Sequence, residues 1–268
     1  MSKFTKVLIV FFIIILALSL GVAFGINKLK SNVVSSATSS FKYSESSKYT
    51  IVDGKIDINA ENIKKLDISW LFGEVRIEEY DGQTIRFKEE YSGETLNDAL
   101  KARYYVDNNE LKIAFAVSGY KNEGNSTKKS LVVYIPSQSA LNNIEINNVS
   151  SSVLIKLSSF DSIEIDTVSG ECRVDVDSLV NLEFDGVSGD LYLTAKSGVE
   201  EIDFSSVSSS AYISIPSSSS FKAKVDGVST SMDSTFKGTL QGKNFIVGSG
   251  RNDYSFSSVS GHIVINEL

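Results

Sequence analysis

The chain has 268 residues, with 26 Lys and Arg against 33 Asp and Glu, a formal net charge of −7, two Pro, one Cys, one Trp and one His. Residues 1–30 hold four of the basic residues and none of the acidic ones, so residues 31–268 carry 22 basic against 33 acidic side chains, a net −11. That balance excludes a nucleic-acid binder, which needs clustered Lys and Arg to displace counterions from phosphates; one Cys excludes an intrachain disulfide, and one His leaves little imidazole chemistry.

Lys3 and Lys6 precede an apolar run over residues 7–26, interrupted only by Ser19, Gly21 and Gly25. About 20 such residues span the hydrocarbon core as a helix, whereas signal-peptide cores run to about 7–15. The expectation is an uncleaved anchor, with residues 1–30 forming a cytoplasmic tip and a single transmembrane span; cleavage after Ala23 is the alternative. Lys28 and Lys30 lie just beyond the span, so positive charge biases the orientation only slightly toward a cytoplasmic N-terminus. The size of the chain beyond the span makes it an exported ectodomain, a cytoplasmic domain hung from the membrane being the other arrangement. Residues 31–48 are Ser-rich without sustained periodicity, which predicts a flexible tether.

Residues 49–140 are β-rich but irregular, with strand-like runs at 55–59, 66–69, 74–78, 84–90, 102–106, 111–117 and 131–135, a helical turn at 95–100 and a polar loop at 119–129. Residues 141–268 repeat. A Val-Ser pair recurs at Val149, Val168, Val187, Val207, Val228 and Val259, the first five at spacings of 19, 19, 20 and 21. Such a period marks a repeat architecture. In one unit, Ile163, Ile165 and Thr167 alternate with acids, and beyond Gly170 the apolar positions are Cys172, Val174 and Val176. The parity flips at Val168-Ser169-Gly170. Strand side chains alternate faces, so a flip means a corner, with Gly170, Gly189 and Gly261 supplying small residues there.

A unit of strand, corner and strand has no partner for its apolar face. Successive units are therefore expected to stack in parallel about 4.8 Å apart, with the valines inside and the serines at the corner. The fold class is thus all-β: a single-span N-terminal helix followed by a parallel β-solenoid of about 20-residue rungs. An antiparallel sandwich with similar hairpins is the competing architecture. The segment LDISWLFGEVRI at 66–77 lies over IEIDTVSGECRV at 163–174, placing Gly73 on Gly170 and Arg76 on Arg173. Residues 49–140 then form the degenerate N-terminal end of the same stack, with Trp70, Phe72, Tyr104 and Tyr105 helping to close it.

Candidate chemistry is thin. His262 falls at an outward position beside the last corner, away from any nucleophile in the pattern, and no catalytic residue is expected. Cys172 reads as a small buried hydrophobe. The carboxylate pairs Asp175 with Asp177 and Glu200 with Glu201 read as solvated outward acids. No cofactor is expected; outward Asp166, Asp185 and Asp190 line up between rungs as oxygen donors for Ca2+, although the calcium-binding nonapeptide is absent. Asn125 and Asn148 head glycosylation sequons.

The single span, LDISWLFGEVRIEEYDG at 66–82, SLVVYIPS at 130–137 and the recurring VSG units resemble the bacterial putative-adhesin family of unknown function, of the LiaG and YvlB kind. The resemblance covers about residues 49–268. Ser151, Ser209 and Thr230 stand where its pattern has Gly. It implies a β-solenoid at a bacterial surface, in settings connected with envelope stress, and it carries no catalytic residues to transfer. The expected protein sits in the bacterial cell membrane by one pass, with its C-terminal part extracytoplasmic. Its expected role is non-catalytic contact with cell-wall polymer, glycan or an envelope protein through Ser188, Asp190, Ser208 and Tyr212. An envelope-stress accessory acting through a membrane partner is the alternative.

Overall fold

The computed structural model describes residues 41–93, 96–121 and 129–268. The expected anchor at 1–30 lies outside them, as does the tether up to residue 40; among the described residues no helix is long and apolar enough to cross a membrane. Sixteen strands among these residues join in one hydrogen-bonded sheet. They are β1 Thr50–Ile51, β2 Lys55–Asn59, β3 Lys65–Tyr80, β4 Thr84–Glu90, β5 Arg103–Asp107, β6 Glu110–Ala114, β7 Lys129–Pro136, β8 Asn143–Ser169, β9 Cys172–Ser188, β10 Leu191–Ala195, β11 Val199–Ser206, β12 Ala211–Ile215, β13 Phe221–Ser234, β14 Thr239–Gln241, β15 Asn244–Val247 and β16 Asn252–Glu267.

The central rungs are parallel, as the repeat predicted, and the sandwich alternative falls. β3 pairs β8 in parallel from Lys65↔Asn143 to Glu78↔Lys156. β8 pairs β9 in parallel from Val153↔Cys172 to Ser169↔Ser188. β9 continues into β10 and β11, and β10 into β12, all in parallel. The parity flip is also real: Ile163, Ile165 and Thr167 are buried before the corner, and Cys172, Val174 and Val176 after it. Stacking then builds core columns. Ile165 pairs with Phe184, Phe184 with Phe204 and Phe204 with Phe256, and the Phe184 and Phe204 rings stack at 5.1 Å. Burying one such ring is worth about 2–3 kcal/mol before the entropy of ordering it.

Two features depart from the sequence reading. The first is order. β16, last in the chain, does not end the stack: it pairs β11 and β12 on one side and β13 on the other. β3 is likewise inserted, between β8 and the β6 and β7 pair that comes after it in sequence. Beyond these rungs the pairing turns antiparallel, through β5 and β1 on β6, β4 and β2 on β7, and β15 and β14 on β13. The similarity of LDISWLFGEVRI to the later units is upheld, because Gly73 registers on Ser151, the corner position that precedes Gly170 in the stack.

The second is the corner. The six valines keep register, but their side chains do not fill the interior: Val149 is half-buried at the edge of the core and Val228 is 72% exposed. Parity explains it, since the residue before each valine points inward. Those residues are Asn148, Thr167, Gly186, Ser206, Gly227 and Ser258, and all of them except the glycines are buried. They bond to one another. Asn148 Nδ2 donates to Ser151 O at 2.7 Å and to Thr167 Oγ1 at 3.1 Å, and the Ser206 and Ser258 hydroxyls meet at 2.8 Å. Buried polar groups need such partners, each missing one costing about 1–3 kcal/mol. The recurring serine has its own use, with Ser169 Oγ donating to Val149 O and Ser188 Oγ to Val168 O, both at 3.3 Å and both one rung back.

The small residues at the corner follow from close approach. Gly170 has φ 124, and a Cβ there would lie 2.2 Å from Ser151 O; at Gly261 it would lie 2.1 Å from Ser209 O. Ser151 and Ser209, which stand where the resemblance has Gly, are buried and bonded into the corner column. Asn148 is fully buried, which removes its sequon as an acceptor; Asn125 lies outside the described residues.

At the N-terminal end, Phe41 and Tyr43 pack against the first rungs, while residues 44–48 are exposed. Phe41 is 3% exposed and bridges to Tyr120, and Tyr43 OH donates to Ala116 O at 3.1 Å. Two aromatic residues in a Ser-rich run gave too little periodicity to show this. Trp70 stacks edge-on to Phe115 at 5.0 Å and Tyr104 packs on Phe87 at 5.3 Å, as the closing role required. The turn expected near 95–100 is present, with Leu100 and Lys101 N–H groups both donating to Asn97 O; the loop at 122–128 lies outside the described residues.

Candidate functional site

An open cleft of about 410 Å³ lies where the second arms of five successive rungs end. Glu79, Tyr80 and Asp81 come from the end of β3 and its turn, Ser137 from beyond β7, Lys156, Leu157 and Ser158 from β8, Asp175 and Asp177 from β9, and Lys196 from beyond β10. The sheet positions them by register: Lys156 pairs with Asp175, which in turn pairs with Thr194. Leu157 is buried beneath and forms an apolar floor.

Part of the wall is held in place. Glu79 accepts from Ser158 N at 2.7 Å and from Ser158 Oγ at 3.0 Å, and Lys196 Nζ donates to Asp177 Oδ1 at 2.7 Å. The hydrogen bond to Asp177 raises the Lys196 pKa above the ordinary lysine range, so the amine stays charged. Tyr80 OH donates to Thr84 O, and the Arg86 guanidinium lies 4.7 Å from its ring centroid. The cleft thus presents acceptors and donors of both charges around a small apolar floor. Such a lining suits hydroxyl-, amine- and carboxyl-bearing ligands.

Of the expected contact residues, Asp190 and Ser188 are partly committed to the stack. Asp190 Oδ1 accepts from Ser210 N at 2.8 Å, and Ser188 Oγ reaches Val168 O. Ser208 is exposed. Tyr212 stacks on Tyr192 at 4.8 Å, and Arg173 covers the Tyr192 ring at 4.2 Å, so the ladder turns ring edges rather than faces toward solvent. Asp175 is exposed and Asp177 half-buried. Sequence reading did not bring Glu79, Lys156 and Lys196 to this site. The signal was in the 19-residue period itself, which relates Lys156 to Asp175 and both Ser158 and Lys196 to Asp177.

At the other end of the molecule Ser231 Oγ lies 2.7 Å from His262 Nδ1, and His262 Nε2 lies 3.2 Å from Asp233 Oδ2. The connectivity is that of a catalytic triad with the two ring nitrogens exchanged. Its side chains sit on an open face, Asp233 being 78% exposed, whereas an orienting carboxylate works from burial. Cys172 is fully buried, and burial pushes its thiol up to about 12, far from a reactive thiolate.

The family model described as Toastrack DUF4097 matches residues 63–194, which run from the inserted β3 through the central rungs. The chain carries a Toastrack DUF4097 domain. The crystal structure of a putative cell adhesion protein from Clostridium sporogenes superposes with a TM-score of 0.52 at 15% identity, covering 82% of this chain and 98% of that one. A putative adhesin from Bacteroides fragilis matches at 14% identity with a TM-score of 0.33, covering 82% and 97%. A putative lipid binding protein from Parabacteroides distasonis matches at 13% with a TM-score of 0.34, covering 80% and 95%. At these identities the Clostridium structure speaks for the Toastrack fold alone. No curated protein matches the chain at a significant level. The cleft takes residues from both inside the Toastrack match, such as Lys156 and Asp175, and just beyond its end, at Lys196.

Proposed function

We propose that this chain is a non-catalytic binding module, displayed outside a bacterial membrane by the span at 7–26, that contacts cell-wall polymer or glycan. The observation that carries the reading is the cleft, whose carboxylates and amines are fixed by register on successive rungs and whose floor is apolar. Polymer segments of hydroxyl, amine and carboxyl character match such a lining, and repeated shallow contacts along a stack add up by avidity. The adhesion role in the name of the Clostridium structure agrees with it. The net −11 of residues 31–268 disfavours anionic polymers, so neutral or zwitterionic wall components are the partners.

The test is retention of the protein on purified cell walls, with Asp175→Asn combined with Lys156→Met as the variant. Retention of the parent and loss in the variant is the expected result. Failure of the parent to bind, together with recovery of a membrane protein alongside the full chain, would transfer the role to an envelope accessory acting through that partner.

A further inference from the structure

The outer face of the first arms carries a second charged feature, separate from the cleft. Asp67 pairs with Glu145, Glu164 with Glu183 and Glu183 with Asp203. The 19-residue period sets Glu164 one rung beyond Glu145, so five acidic residues occupy one column. The neighbouring column holds Asn147, Asp166 and Asp185, with Asp166 paired to Asp185. Lysines flank the acidic region at its ends: Lys65 bonds Glu145 at 2.6 Å and Glu110 at 3.2 Å, and Lys224 bonds Asp226 at 2.5 Å.

Like charges on adjacent strands repel. A second observation is independent of charge. Asn147 is 6% exposed, its Nδ2 donates to Glu145 Oε1 at 3.1 Å, and its Oδ1 is the buried side-chain oxygen without a hydrogen-bond partner among the described residues. A buried acceptor left unmade is costly, and here it lies beside Glu145 within the acidic face.

We propose that this face is a calcium site, in which Asn147 Oδ1 and the carboxylates of Glu145, Glu164 and Asp166 take one ion between two rungs. Hard divalent cations take oxygen ligands, and a neutral amide oxygen among carboxylates is a usual calcium donor set. Rung spacing favours Ca2+ over Mg2+. Strands about 4.8 Å apart suit two bonds of about 2.4 Å to one ion, whereas Mg2+ demands octahedral bonds near 2.1 Å. Among the described residues no three acidic side chains converge as they stand, so Glu164 and Asp166, both half-buried, turn about their side-chain torsions to close on the ion.

The experiment is calorimetric titration of the full chain with calcium chloride and, separately, magnesium chloride, paired with thermal unfolding with and without chelator. Calcium is expected to bind and raise the melting temperature, and Glu164→Gln with Asp166→Asn to weaken binding about tenfold or more. Asp175→Asn with Asp177→Asn in the cleft should leave it unchanged. Asn147→Ala serves as the second variant should the double change disturb folding, and it should weaken calcium while keeping the unfolding transition. Absence of calcium binding to the parent chain, binding undiminished in both ladder variants, or equal affinity for magnesium would overturn the site. The outcome is separable from that of the wall-binding reading, since the two faces are changed by different substitutions.

Discussion

The two ends of the stack face the same problem and solve it to different degrees. A parallel stack exposes a row of unpaired backbone groups on its last rung, which invites pairing with another chain. At the N-terminal end, antiparallel strands cover both arms of the terminal rung, β5 and β1 over β6 and β4 and β2 over β7. Between them Lys129, 2% exposed, bonds Glu89, Leu100 O and Phe115 O and lies 5.1 Å from the Trp70 ring and 4.3 Å from that of Phe115. At the C-terminal end, β15 covers only residues 221–224 of β13. The remainder of β13 has β16 on one side alone among the paired strands, and Val228 and Leu240 are 72% and 74% exposed. The difference teaches that rung repetition alone does not define the fold: each end needs its own device, and the N-terminal one is built from residues that repeat nowhere else.

The largest effect is expected where that device is concentrated. Lys129→Met leaves Glu89 buried without its cation and should cost about 3–5 kcal/mol in urea unfolding. Burial lowers the Lys129 amine to about 8 from its ordinary 10.5. The unfolded chain therefore binds more protons between about pH 8 and 10.5, and parental stability should rise with pH in that window while the variant lacks the rise.

In the ordered middle, Phe204→Ala removes a ring stacked on Phe184 and tilted against Phe256, and should cost about 3–4 kcal/mol by the same measurement. Val225, its counterpart in the terminal rung, is half-buried, and Val225→Ala should cost about 1 kcal/mol.

A smaller change has the opposite sign. Asp185, pushed up to about 6 from 3.8, favours the protonated form in the folded state. The stability this confers is present below about pH 4 and lost as pH rises through 6. Asp185→Asn keeps a neutral side chain throughout, so it should stabilise by about 1–2 kcal/mol near pH 8 and by nothing near pH 4. Pairs of unfolding curves at the two pH values test this.

The smallest effects separate corner from core. Val228→Asp should shift stability by less than about 0.5 kcal/mol, and Val187→Asp by about 1 kcal/mol, since neither side chain lies in the interior. A loss near that of Phe204→Ala at Val187 would restore the valine ladder to the inside.

The sequence carried the rungs and the corners because both depend on local parity, and the run from Ile163 to Val176 shows it in full. It could not carry stacking order. β16 and β13 share the pattern, yet it is β16 that pairs β12, while β13 lies beyond it under β15. The Val-Ser pair was visible, yet its meaning was not: the motif recurs for the serine hydroxyl and the inward polar residue before the valine, while the eye is drawn to the apolar residue. The cleft was hidden for a similar reason, since Glu79 joins Ser158 only after β3 is inserted beside β8, 79 residues on. Packing of Phe41 and Tyr43 was hidden because their partners, Tyr120 and Ala116, are distant in sequence.

Disulfide trapping tests most directly whether the stack runs out of sequence order at its C-terminal end. In a Cys172→Ser background, cysteines at Ser214 and Asn266, which pair in register between β12 and β16, should oxidise to a crosslink in the native protein. Cysteines at Ser214 and Thr235, which a stack in sequence order would bring together, should remain reduced. A crosslink between Ser214 and Thr235 without one between Ser214 and Asn266 would contradict this order of rungs.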